Sequence, residues 1–311
     1  MIYINMGGGR LGNQFFRYAF ARQLQKHNPN ETVIYNFDEV HRTLFNSGFR
    51  NENSLLYFKT VGIEKQDAIN YSIPQYIVWK LFNRFYPRGA SFSKINRYER
   101  KWIGVMSFFG LYNLKLGYHS FSLKKPWWVK NLIVNCCAES EKYFDGIGDQ
   151  LRCEFQPKLP LSEYNKPLMD VIKQSESVAI SIRRGDFVDD AKTKGTYFVC
   201  DKSYYERAIN LIRQKVKNPT FVFFSNDIKW VKDNIKIDGC PCYYESGKDE
   251  QWEVMRLMSS CKHFIISNST FHWWAQYLST NQNKIVIAPN RWYNDVFKSK
   301  LYQNNWTTII V

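Results

Sequence analysis

The chain has 311 residues, 44% hydrophobic, 17% aromatic and 23% charged, which excludes a disordered or fibrous protein and, at roughly 150 residues per domain, allows about two domains. Lys and Arg number 43 against 28 Asp and Glu, a net charge of +15, so an anionic partner is expected, with nucleic acid, acidic lipid and nucleotide-sugar all open. No basic and apolar leader precedes the first glycines and no run approaches about 18 uncharged apolar residues, so the expectation is a soluble cytoplasmic chain whose seven cysteines remain thiols.

In chain order, a strand at 2–4, a glycine loop at 7–12, a helix over 13–26 and a strand at 32–37 read as a βαβ unit. Residues 73–130 then crowd Trp, Tyr and Phe among Lys and Arg, with few acids, and read as an insertion with its own surface task. Prolines at 157, 160 and 167 mark a connection, which places the domain boundary near 157–165 and gives domains of 1–157 and 158–311. Beyond it, strands at 177–182, 220–224, 263–266 and 284–288 alternate with helices at 204–217, 228–234 and 271–278. This pattern predicts an α/β fold with a parallel sheet. Ligands of such sheets bind outside the carboxyl ends of the strands, so the loops after 182, 224 and 266 are where chemistry is expected.

Four polar loops follow predicted strands. Gly7-Gly8-Gly9-Arg10-Leu11-Gly12-Asn13-Gln14 contains G-x-G-x-x-G, with Asp38 after the next strand. It reads as a tight turn, as a nicotinamide or flavin site, or as a loop facing phosphate or sugar. Arg10, Asn13 and Gln14 favour the last, because polar forked groups at a helix start suit hydroxyls and phosphate oxygens. Ser181-Ile182-Arg183-Arg184-Gly185-Asp186 sets two guanidiniums at a strand end, either as a diphosphate clamp or as an Arg184–Asp186 surface pair. In Phe224-Ser225-Asn226-Asp227 the aspartate is either a helix N-cap or an acceptor for a guanine edge. Ser267-Asn268-Ser269-Thr270-Phe271 opens a helix whose amides and dipole make an anion site, while Trp273 and Trp274 read as core. Asp-x-Asp, zinc-protease, P-loop and Gly-x-Ser-x-Gly spacings are missing from the sequence, so any departing diphosphate must rely on arginine and helix amides.

These motifs resemble those of glycosyltransferase family 11, the inverting α-1,2-fucosyltransferases. The resemblance runs through Gly8 to Ala19, Ser140-Glu141-Lys142-Tyr143-Phe144, Ile182 to Phe187, Ser267 to Ala275 and Ala288-Pro289-Asn290-Arg291-Trp292. It implies a GT-B architecture of two facing Rossmann-like domains, GDP-β-L-fucose as co-substrate, no cofactor and no metal. It further implies transfer to O2 of a terminal galactose in a surface polysaccharide or oligosaccharide. Carried over, Arg183 meets the β-phosphate. Arg10, Asn13, Ser225, Asn226, Asp227, Asn268, Ser269, Thr270 and Phe271 surround the donor, and Gln14, Glu141 and Lys142 lie on the acceptor side. Asp186 is the first choice of base, followed by Asp189 and Asp190. Three departures stand out: the family usually has His at the position of Ser181, it tends to carry an aromatic-Trp-Gln run where Cys137-Ala138-Glu139 stand here, and Ser is commoner at the position of His272.

Two other classes are weighed. A nucleic-acid-binding module explains the charge but not the polar loops at strand ends, and an NAD(P)-dependent oxidoreductase explains Asp38 but leaves the three later loops without a role. For 73–130 two readings stay open: shallow docking on an anionic bilayer, where lipid-linked acceptors are found, or an aromatic acceptor lobe with a basic rim.

Overall fold

The computed structural model describes residues 1–42 and 52–311, with Arg42, Asp186, Phe187 and Lys192 described by their backbone alone. The chain divides into two compact units, residues 1–156 with 295–301 and residues 157–294 with 302–311.

The first unit is built from β1 (Ile2–Asn5), α1 (Leu11–His27), β2 (Val33–Asn36), α2 (Asp38–Arg42), α3 (Ile73–Arg84), α4 (Phe92–Phe108), β3 (Leu111–Leu114), β4 (Leu132–Cys136) and α5 (Gly148–Glu154). Its sheet is wholly parallel in the order β2-β1-β4-β3. Segment 73–130 is therefore not a simple insert, because it supplies the edge strand β3 and the two helices before it. A four-residue strand, all of it buried, gave no periodic signal among so many aromatics. Helix α3 starts with a capping box, Ser72 against Gln75, and Pro74 in its first turn. Phe82, Tyr86, Tyr98 and Trp102 then pack α3 on α4 with ring centroids 5.3–6.2 Å apart.

The second unit continues with α6 (Lys166–Gln174), β5 (Glu176–Ile182), α7 (Asp186–Asp189), α8 (Ala191–Tyr197), α9 (Lys202–Lys215), β6 (Pro219–Ser225), α10 (Ile228–Asn234), β7 (Cys242–Tyr244), α11 (Gln251–Ser259), β8 (His263–Ile265), α12 (Thr270–Leu278), β9 (Val286–Pro289) and β10 (Thr307–Ile309). All pairings are parallel, in the order β7-β6-β5-β8-β9-β10. Relabelled from β5, this is 3-2-1-4-5-6, the order of the dinucleotide-binding fold, whose direction reverses between β5 and β8. Strands β5 and β6 are apolar along most of their length and buried on both faces. Val178, Ile180, Phe221 and Phe223 pack against Tyr204, Tyr205, Ile209 and Ile212 of α9. Both sheets are the α/β parallel type that the strand and helix alternation predicts.

Candidate active site

In the second unit the loops after β5 and β8 flank the point of reversal, where a crevice opens at the carboxyl edge of such a sheet. Arg183 leaves β5 here. His272, on α12, is buried and held neutral: burial first, and the charge of Arg183 second, push its pKa down to about 3. Ser267 Oγ lies 2.8 Å from its Nδ1. Ser181 is also buried, and its hydroxyl donates to the Ile265 carbonyl at 3.2 Å, so it ties β5 to β8. Ser269, in extended conformation, is the N-cap residue of α12 and Thr270 its first helical residue, so the start of a nine-residue helix stands beside Arg183's loop.

Arg184 turns to a neighbour. Its backbone N–H donates to Asn226 Oδ1 at 2.9 Å, its Nε to Asp227 Oδ2 at 3.3 Å, and its guanidinium lies 3.8 Å from the Trp230 ring centroid. Asp227 Oδ1 accepts from the Trp230 N–H at 3.0 Å, which caps α10, and the Asp227 N–H donates to Ser225 Oγ. Among the described residues, the acid paired with Arg184 is thus Asp227. Gly185 has φ +39°, and a Cβ there would lie 2.3 Å from Asn226 Nδ2, so the turn requires glycine.

Asn268 was expected to contact a donor, but its amide is buried and donates to the carbonyls of Tyr197 and Trp292, both at 2.8 Å. It holds the loop together, since a buried amide must find partners and the backbone supplies them. Phe271 packs edge-on to His272. The Asp186 side chain lies outside the described residues. Asp189 is exposed at the end of α7, and Asp190 caps α8 by accepting from the Thr193 N–H at 2.7 Å.

The first unit's carboxyl edge has a different chemistry. Asn36, Asn5, Asn135 and Asn113 stand on the four neighbouring strands at one level, in register as Asn5 with Asn36 and Asn135 with Asn113. Asn5 Nδ2 donates to Asn135 Oδ1 at 3.1 Å and Asn135 Nδ2 to Asn113 Oδ1 at 2.7 Å. Asn5 Oδ1 also accepts from the Gly7 N–H at 2.9 Å. Asn36 Nδ2 donates to Asp38, the residue suggestive of a ribose-binding acid. Arg17 of α1 joins the loops after β1 and β4, donating to the Met6 carbonyl at 2.5 Å and lying 3.6 Å from Cys137 Sγ. Gly7 adopts φ +57°, with the Arg17 guanidinium 2.6 Å from where a Cβ would sit.

Arg10 is the N-cap residue of α1 in extended conformation, and its carbonyl accepts from the Asn13 and Gln14 N–H groups. Gln14, expected on the acceptor side, is fully buried: it donates to the Gly9 and Glu52 carbonyls and accepts from the Ser54 N–H. It fastens the glycine loop to the segment after residue 51. Glu141 and Lys142 lie in a short turn, with Lys142 Nζ 5.5 Å from the Tyr118 ring centroid. The sequence reading missed Arg17 and the asparagine row, since two of the row's strands, β3 and β4, are not evident in the sequence. Among the described residues no three His, Cys, Asp or Glu side chains gather as a metal site, and no helix is long and apolar enough to cross a membrane.

A sequence profile described as glycosyl transferase family 11 matches residues 1–310. The chain is similar to the O-antigen biosynthesis glycosyltransferase WbnK of Escherichia coli, at 26% identity over 99% of this chain and 100% of that one. It is similar also to an alpha-1,2-colitosyltransferase of Escherichia coli, at 28% identity over 94% and 92%. A shorter match, 27% identical, covers 44% of this chain and 40% of human galactoside alpha-(1,2)-fucosyltransferase 1.

Proposed function

The chain belongs to glycosyl transferase family 11, and on that premise we propose that it transfers L-fucose from GDP-β-L-fucose to O2 of a terminal galactose in a glycan acceptor. The observation that carries this reading is Arg183, placed at the reversal point of a 3-2-1-4-5-6 sheet beside the start of α12. Loss of the sugar leaves a diphosphate whose negative charge grows at the bridging oxygen. A fixed guanidinium and the first amides of a helix stabilise that charge without a metal ion. The acceptor hydroxyl attacks C1 from the face opposite the leaving group, a C–O bond forms as the C1–O–phosphate bond breaks, and the β configuration becomes α. The proton leaves to a carboxylate, with Asp186 the first candidate and Asp189 the second, since Asp190 already caps a helix. Neutral His272 packs under the loop and leaves Arg183 as the cation there. The name of the Escherichia coli relative WbnK, an O-antigen biosynthesis glycosyltransferase, supports an acceptor in surface polysaccharide synthesis.

A second donor is favoured by one comparison: the colitosyltransferase matches 94% of this chain. Colitose is fucose without its 3-hydroxyl, so the two donors differ at a single polar group. The test measures GDP release from GDP-fucose and from GDP-colitose, with EDTA present, over a panel of terminal β-galactosides and other sugars, for wild type and Arg183→Ala. Galactoside-dependent turnover of GDP-fucose that survives EDTA and collapses in the variant is expected, with linkage analysis giving the 1,2 bond. Faster turnover of GDP-colitose would move the donor, a requirement for added Mg²⁺ or Mn²⁺ would overturn the metal-free clamp, and binding of neither GDP-sugar would overturn the reading.

A further inference from the structure

One face of α4 and the loop before β4 has no role in the chemistry above. Segment 73–130 carries eleven Lys and Arg against a single acid, Glu99, so it holds two thirds of the chain's net charge of +15. Glu99 is fully buried, accepting from Tyr86 and from the Lys115 and Leu116 N–H groups, and does not offset that charge at the surface.

The exposed residues Lys94, Arg97, Lys101, Gly104 and Phe108 recur every three or four positions and form one stripe along α4, opposite buried Ile103 and Met106. The two ends of the stripe differ. Near its start a groove of about 550 Å³ is lined by Arg97, Arg100, Lys101 and Lys298, with Val296 86% exposed at its edge. Asp295, the acid at that end, is engaged by the Phe92 N–H and the Ser93 hydroxyl. Near its end a hollow of about 560 Å³ is lined by Phe108, Trp127, Trp128 and Lys124. Trp127 is 89% exposed, and Trp128 is steadied by its indole N–H on the Phe108 carbonyl at 2.9 Å. Residues 97 and 108 are eleven apart, roughly 16 Å along the helix.

We propose that this face docks the protein on an anionic lipid bilayer, with α4 lying in the interface, the basic groove against lipid phosphates and Trp127 and Trp128 among the upper acyl carbons. The two ends supply the two signals that stable peripheral attachment needs, cationic attraction and apolar insertion. A nucleic-acid partner would use the cations but leaves indoles and Val296 at the rim without a base-stacking groove between them. The inference does not depend on which donor the enzyme uses.

The test is co-sedimentation of the full chain with vesicles of phosphatidylcholine alone or mixed with phosphatidylglycerol, at low and high salt. Wild type is expected to bind only the mixed vesicles and to retain part of that binding in high salt. The double change Arg97→Glu with Lys101→Glu is expected to weaken partitioning at least about 25-fold, at about fivefold per cation before any repulsion. Trp127→Ser is expected to lose about tenfold and to become fully releasable by salt. Both variants alter exposed positions, and circular dichroism with a thermal melt verifies that each folds. Equal binding to neutral vesicles, no binding to the mixed ones, or variants that bind as wild type would overturn the proposal. So would RNA binding that both variants lose while vesicle binding persists.

Discussion

The carboxyl edge of the second sheet holds two guanidinium groups and the start of a nine-residue helix, whereas that of the first holds four asparagines at one level. Both edges sit where a parallel sheet reverses direction, so topology alone treats them alike. Chemistry separates them. Fixed positive charge is useful where negative charge develops, as on a departing diphosphate. Amides carry no net charge, and here they bond one another and the Gly7 N–H, so they fix the shape of a glycine loop. The second edge thus carries the charge that suits the anion proposed above, and the first carries amides that hold a backbone turn in place.

The change with the largest expected effect is Arg183→Ala. If Arg183 meets the diphosphate as proposed, its loss is expected to lower kcat at least about 100-fold. Arg183→Lys should recover only part, because an ammonium lacks the planar fork. Steady-state GDP release measures both, and a variant within about threefold of wild type would erase the contrast between the edges.

Glu99 tests the first unit in another way. Burial raises its carboxyl pKa to about 7, against 4.5 when unfolded. The unfolded chain therefore ionises first as pH rises, binds fewer protons than the folded one between those values, and draws the equilibrium toward unfolding. The group's contribution is greatest below about pH 4.5 and is lost as pH rises through 7. In Glu99→Gln the amide can still accept from the two N–H groups and donate to Tyr86. Denaturant unfolding at pH 5 and pH 8 should show wild type losing roughly 2–3 kcal/mol more than the variant over that interval.

Asn135 links both halves of the asparagine row. Asn135→Ala removes two hydrogen bonds and leaves Asn5 and Asn113 short of partners, which is expected to cost about 2 kcal/mol in the unfolding of the first unit. GDP affinity should stay within about twofold by calorimetry, since the second unit is untouched. A large loss of nucleotide binding would show that the amide edge does more than hold a loop.

The second sheet was legible in the sequence because its long strands, 177–182 and 220–224, are mostly apolar, each followed by a polar loop. Four short strands were not: Leu111–Leu114, Leu132–Cys136, Cys242–Tyr244 and Thr307–Ile309 are three to five residues long, and their placement depends on neighbours far away in the chain. The loops were found, but what individual side chains bond to was not. Gln14 and Asn268 have the donors and acceptors a ligand needs, and the backbone around them needs the same groups. Burial, which sequence does not record, decides between the two. Arg17 was hidden because its spacing is that of any helical residue. The asparagine row was hidden because its members are up to 130 residues apart and meet only through strand register.

The smallest expected effect concerns Asp227, for which two readings met. If its carboxylate accepts from N1 and N2 of guanine, wild type should prefer GDP over inosine diphosphate, which lacks the 2-amino group, and Asp227→Asn should abolish that preference. In the structure its two oxygens are engaged, one by the Trp230 N–H and the other by Arg184. Asparagine is as good an N-cap as aspartate, so the cap survives the change, while an amide nitrogen or a neutral oxygen replaces the carboxylate opposite Arg184. The pair is partly exposed, with the Asp227 side chain at 38%, so the loss of stability should be under about 1 kcal/mol, and stacking on Trp230 keeps Arg184 near its place. The expected result is a small drop in melting temperature and an unchanged ratio of GDP to inosine diphosphate affinity. A collapsed ratio would mean that the carboxylate lets go of Arg184 when nucleotide arrives, and the guanidinium edge would then be a device that rearranges on binding, unlike the fixed amide edge.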